Sequence, residues 1–136
     1  LIKMVDEDTN AFNRIMDAFG LPKKTDEEKA ARHQAIQDAT KFATEVPFKT
    51  MMFCYECMEV VKAMAEIGNP NSVTDAGVGA LAARSGVIGA FLNVKINAAG
   101  LDDKEYANDI ISRGEKVVEM AKQMETDILN IVNSKI

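Results

Sequence analysis

The stretch "AGVGALAARSGVIGAFLNVKINAAG", residues 76–100, decides how this chain folds. It is long, apolar and almost uncharged, so it reads either as a membrane span or as a helix inside protein. Arg84, Lys95, Asn93 and Asn97 argue against lipid, because charges and amides in mid-span are expensive. The expectation is therefore a long Gly/Ala-rich helix buried on most sides by protein. At 100° per residue, Asp75, Gly79, Ala82, Gly86, Asn93 and Asn97 share one face, with Arg84, Ile88 and Lys95 roughly opposite. The first face is polar at its ends and small in its middle. Small residues let another backbone, or a flat ligand, come close. Tight helix packing with hydrogen-bonded asparagines explains the same spacing, and small-residue ridges mostly serve packing. The loop before it, "GNPNSVTD", offers Ser72, Thr74 and Asp75 as N-caps.

Outward from this segment the chain also reads as helix, since no run alternates in the manner of a half-buried strand. A first helix ends at "FGLPKK", where Gly20 and Pro22 supply the stop. A second begins at Thr25, with Glu28 completing a capping box. Its inward face carries Ala35, Ala39, Phe42 and Val46. Pro47 is expected to break or kink it, since proline lacks the N–H and crowds the preceding turn. A further helical piece then runs from about Phe48 to "AEIGNPN". The last helix is expected to start with another capping box, Asp102 with Glu105. Ile110, Gly114, Val117, Ala121, Met124, Ile128 and Ile131 follow at alternating spacings of four and three, a heptad seam. That seam fits packing within one subunit or contact between two. The fold class is all-α: a multihelical bundle, one domain over residues 1–136, expected to be dimeric.

The chain has 136 residues, is 47% hydrophobic, and carries a formal net charge of −5. Such a chain can bury a core, and its acidity argues against nucleic acid and anionic membranes as partners. Cys54 and Cys57 form C-x-x-C on an apolar helix. With His33 as the one histidine and no second cysteine pair, four zinc ligands are not at hand. The pair reads as buried free thiols, which suits a cytoplasmic location. His33 lies among polar residues and reads as solvated. Met51, Met52, Met58 and Met64 read as core filler.

Asp8 is the anomaly. In "LIKMVDEDTNAFNRIMDAF", residues 1–19, Leu1, Val5, Phe12, Ile15 and Phe19 form an apolar stripe, and Asp8 occupies a seat within it. "DEDT" alone would pass for the acidic first turn of a helix starting near Asp6. Because "LIKMV" continues the stripe, a helix running straight through is expected. Asp8 is then half-buried beside apolar neighbours, with a raised pKa suited to proton transfer.

At these residues the chain resembles the formiminotransferase-cyclodeaminase C-terminal family, which includes stand-alone methenyltetrahydrofolate cyclohydrolases. The resemblance rests on "DEDTNAF", "LPK", the T-x-E-E-K cap, "VP", and above all "GNPNSVTDAGVGALAARSGVIGAFLNVKIN". It covers about positions 1 to 100. It implies an all-helical, dimeric folate enzyme that needs no metal and no cofactor beyond its tetrahydrofolate substrate. The implied reaction is cyclodeamination of 5-formiminotetrahydrofolate to 5,10-methenyltetrahydrofolate and ammonia. The alternative is hydrolysis of the methenyl bridge to 10-formyltetrahydrofolate. A non-catalytic folate-binding or dimerisation module is the alternative of another class. The second Asp of the family's D-x-D-x-x-A-F motif is the implied catalytic acid–base, and it falls on Asp8. Asp75, Asn93 and Asn97 are expected to hold the pterin edge, whose amide and amino groups suit carboxylates and carboxamides. Arg84 and Lys95 are expected to attract the glutamate tail. The family's Gly-rich segment upstream of this motif is not part of this sequence.

Overall fold

The computed structural model describes residues 2–136, and every regular element in them is helical. These are α1 (Ile2–Gly20), α2 (Asp26–Ile67), α3 (Val73–Ala99) and α4 (Lys104–Asn133), with one 3-10 turn at Pro70–Ser72.

Helix α2 is the spine. Thr25 Oγ1 accepts from the Glu28 N–H at 3.2 Å, and Glu28 Oε2 accepts from the Thr25 N–H at 3.2 Å, completing the expected capping box. The helix then runs 42 residues, roughly 60 Å at 1.5 Å per residue. It does not end at Pro47, so the expected break is corrected. Proline forfeits the bond to the carbonyl four residues back, that of Ala43. Asn97 on α3 supplies the missing donor: its Nδ2 lies 2.7 Å from the Ala43 oxygen. With Val46 and Pro47 both buried, tertiary packing carries the helix through the proline.

Helix α1 does run straight through the "DEDT" segment, and Leu1 lies outside the described residues. Its buried stripe is Met4, Ala11 and Ala18, with Ile15 partly buried, whereas Val5, Phe12 and Phe19 are exposed. The packing face is thus turned by one residue from the expected one. Small Ala11 lets α1 settle closely on Ala43 and Val46 of α2, where the bulkier stripe could not. Arg14 stacks 4.1 Å from the Phe42 ring centroid, and Arg32 donates to the Phe19 carbonyl, fastening both helices.

Helices α3 and α4 complete the main core with α2, around Met51, Met58, Val87, Val94, Ala121 and Ile128. Helix α3 corrects a second expectation. Only 33% of its most apolar window is buried, and Val78, Leu81, Leu92 and Ile96 are exposed. The segment is long and apolar enough to cross a membrane by length and composition. Its Arg84, however, pairs with Glu125 of α4 at 3.5 Å, and its Asn97 with Ala43, so these polar groups meet partners within the bundle.

The α4 seam packs inside the chain: Ile110, Gly114, Val117, Ala121 and Ile128 are buried. Gly114 is needed there, because a Cβ would run into the Phe91 ring. The cap of α4 is Asp103, which accepts from the Tyr106 N–H at 3.0 Å; the expected Asp102–Glu105 box does not form. Asp102 instead meets His33 Nε2 at 2.6 Å, and its N–H donates to Gln37 Oε1 at 2.8 Å. These contacts tie the α3–α4 loop to α2, and His33, although exposed, has a partner. Met51 and Met58 are core residues as expected, but Met64 is half exposed. The thiols depart from expectation too: Cys54 is half-buried and Cys57 exposed.

Candidate functional site

Both α1 and α3 pack on α2, and neither packs on the other. A cleft of about 510 Å³ opens between them, floored by α2. Met4, Val5, Asp8 and Thr9 form the α1 wall; Gly86, Ala90 and Asn93 form the α3 wall; Pro47, Thr50 and Cys54 form the floor. Asp8 continues the series Met4, Ala11, Ile15 and Ala18 at spacings of four and three. It therefore faces α2 and α3 as its register demands. It is nonetheless exposed, because the cleft lies where a packing partner would be. The half-buried setting expected for Asp8 is absent from the single chain.

The small residues of α3 serve both purposes that their spacing allows. Gly79 packs against Val61 of α2, with an added Cβ meeting it at 3.4 Å, so this part of the ridge is helix packing. At Gly86 an added Cβ would come within 2.9 Å of Cys54 Sγ. That glycine gives the sulfur its place in the cleft floor. Burial pushes the Cys54 thiol above its ordinary pKa, and the nearby Cys57 adds to the shift.

Of the expected substrate ligands, Asn93 alone joins Asp8 in this cleft. Among the described residues its side chain makes one hydrogen bond, a long one of 3.3 Å from Nδ2 to the Gly89 carbonyl, and its oxygen accepts none. Asn97 is partly buried and turned onto Ala43. Asp75 lines a separate pocket with Val60, Val61, Met64, Asn69 and Ser72. It stands eighteen residues before Asn93 on one helix, roughly 27 Å away. One pterin edge therefore cannot touch both within a chain. Asp75 is not the cap of α3 either; that position is Ser72, which makes no side-chain cap bond. Arg84 faces Glu125, and Lys95 sits 4.9 Å from the Phe91 ring centroid; neither lines the cleft.

Sequence reasoning did not single out Pro47, Thr50 and Cys54 as neighbours of Asp8. Their spacing of three and four on α2 was the available signal, since it puts them on one helical face. A further groove between α2 and α4, about 400 Å³, holds Glu45, Lys49, Tyr106 and Arg113 over Phe48 and Phe53. Several polar groups there engage one another: Tyr106 Oη donates to Glu45 Oε1 at 3.3 Å, and Arg113 lies over Phe48.

The formiminotransferase-cyclodeaminase family pattern matches residues 1–116. The chain belongs to this family. A methenyltetrahydrofolate cyclohydrolase of Methylorubrum extorquens is 43% identical over 136 residues, covering all of this chain and 65% of that protein. The formimidoyltransferase-cyclodeaminase of Gallus gallus is 33% identical over 135 residues, but the match spans only 25% of its length. The structure of a formiminotetrahydrofolate cyclodeaminase from Thermotoga maritima superposes with a TM-score of 0.81 at 20% identity. That superposition covers 97% of this chain and 62% of the other, and it places both in one fold. Within this folate-enzyme family, the motif aspartate and the α3 asparagine meet in one cleft of this member.

Proposed function

We propose that this protein opens the one-carbon bridge of 5,10-methenyltetrahydrofolate with water, giving 10-formyltetrahydrofolate. The observation that carries the reading is the 43% identity, over all of this chain and 65% of the relative, to a methenyltetrahydrofolate cyclohydrolase, joined to a cleft lined by both Asp8 and Asn93. The bridge carbon is an amidinium and takes up a water oxygen. Asp8 accepts the proton that this water loses. The C–N5 bond then breaks, and Asp8 returns the proton to N5. The remaining hydroxyl proton leaves to solvent as the formyl C=O forms. Asn93 orients the ring by accepting from, or donating to, the pterin edge. Ala90 and the Cys54 sulfur, seated on the open side of Gly86, give the ring a small apolar surface at the base of the cleft.

Cyclodeamination is the second reading, favoured by the formimidoyltransferase-cyclodeaminase relative. There Asp8 would take the proton from N10 as it attacks the formimino carbon, then give it to the departing ammonia. Both reactions pass through a tetrahedral carbon beside the same carboxylate. A homodimer is part of the proposal, supported by the apolar faces that α1 and α3 leave open.

The test is spectroscopic. Methenyltetrahydrofolate absorbance should fall when the protein is added to that compound. It should rise instead from 5-formiminotetrahydrofolate if cyclodeamination is the reaction. No change with either substrate would overturn the enzyme reading. Asp8→Asn keeps the shape without the proton, and should lower kcat by about 10²–10⁴-fold.

A further inference from the structure

Pro47 and Asn97 form one device. Pro47 lies in the floor of the cleft and is buried. It has no N–H for the carbonyl of Ala43, a residue only 6% exposed. An unserved carbonyl in such a place is costly. Asn97 reaches across from α3 and donates to it at 2.7 Å. Its amide is thereby turned onto backbone, and Asn97 is not among the residues that line the cleft. On α3 it stands one turn beyond Asn93, which does line it. The bond thus fastens the α3 wall to the α2 floor at the end of the cleft nearest Asn93.

We infer that Asn97 is a positioning residue, not a pterin ligand. Through the carbonyl that Pro47 leaves free, it fixes the separation between Asn93 on one side and Pro47 and Thr50 on the other. The catalytic part of this inference rests on the cleft being the folate site; the structural part does not.

A double-mutant cycle tests both parts: the parent, Asn97→Ala, Pro47→Ala and the pair. Melting temperature is read on all four, with kcat and KM for methenyltetrahydrofolate. Asn97→Ala should lower the melting temperature by about 5 °C and raise KM several-fold, with a smaller change in kcat. Pro47→Ala restores an N–H that can serve Ala43 within α2. In that background, adding Asn97→Ala should move the melting temperature by less than about 2 °C and leave KM where Pro47→Ala set it. An equal KM penalty in both backgrounds would mean that Asn97 touches substrate, and would overturn the inference. Asn97→Asp gives a second test, because it keeps the size but presents an oxygen to the carbonyl. Parent-like stability of that variant would also overturn it. Without folate turnover by the parent, the thermal cycle decides alone: coupled losses support the clamp and additive losses refute it. Absent turnover would count only against the proposed reaction.

Discussion

Cys54 and Cys57 sit three residues apart on α2 and meet different surroundings. Cys57 is exposed, while Cys54 is half-buried with its sulfur against Gly86. Burial raises the Cys54 pKa, and the thiolate is the nucleophile, so at mildly alkaline pH Cys54 is the poorer one. Iodoacetamide should therefore label Cys57 first, and mass spectrometry of partly labelled protein should show this order. Prior labelling of Cys54 would contradict the burial described. Tyr106 is the second titrating group of interest. Burial, then the Glu45 carboxylate and its hydrogen bond, push the phenol up from 10.0 to about 12. Between those values the unfolded chain releases the proton and the folded one keeps it. That contribution to stability is intact below pH 10 and is lost as the pH rises toward 12. Tyr106→Phe should lose less stability than the parent between about pH 9 and about pH 11, measured by urea unfolding. Equal losses would reject the assignment. Asp8 shows what one residue discloses from sequence alone. Its seat in a four–three series was visible, although the stripe of Val5, Phe12 and Phe19 read beside it is exposed and the packing face of Met4, Ala11 and Ala18 lies one residue away. The open cleft in front of it was not, because a gap between two helices leaves no mark on either one's periodicity.

At the scale of elements, Gly114 sets two effects of opposite sign against each other. Replacing a mid-helix glycine by alanine gains about 1 kcal/mol of helix propensity. Here the new methyl collides with the buried Phe91 ring, and overpacking costs about 1–3 kcal/mol. The collision should win because Phe91 is itself wedged in the core and cannot swing aside. Gly114→Ala is thus expected to lower the unfolding midpoint, and a raised midpoint would show that the ring can move. Thr25→Ala removes the cap from the start of α2 and should cost about 1 kcal/mol by the same measurement. The Thr25 cap was legible because its two bonds join residues three apart. The reach of α2 through Pro47 was not, because the group that takes over the freed carbonyl, Asn97, stands fifty-four residues away. The α4 cap failed for a comparable reason. Asp102 satisfies the local capping pattern, but His33 and Gln37 of α2 claim it, and Asp103 takes the cap.

At the scale of the molecule, the distribution of apolar surface argues for a partner. Helix α1 exposes Val5, Phe12, Met16 and Phe19 on one stripe, spaced by sevens, fours and threes. Helix α3 exposes Val78, Leu81, Leu92 and Ile96 along another. Single exposed apolar residues are ordinary on any surface, but two ordered stripes are not. Fully covering one such side chain stabilises by about 1.5–3 kcal/mol, so one stripe holds enough to drive association at micromolar concentration even after its entropic cost. A second copy of this chain is the partner proposed. Light scattering at tens of micromolar should then give twice the 14.9 kDa chain mass. The substitutions Leu92→Glu and Ile96→Glu, both at exposed sites, should return it to once that mass while the helical circular dichroism stays unchanged. They place like charges on a face that would meet its own copy, and burying an unpaired carboxylate costs more than the lost apolar contact. A parent that scatters as a monomer would remove the dimer from the proposal. A variant that stays dimeric would move the interface off this part of α3 and leave the α1 stripe as the surface to be tested.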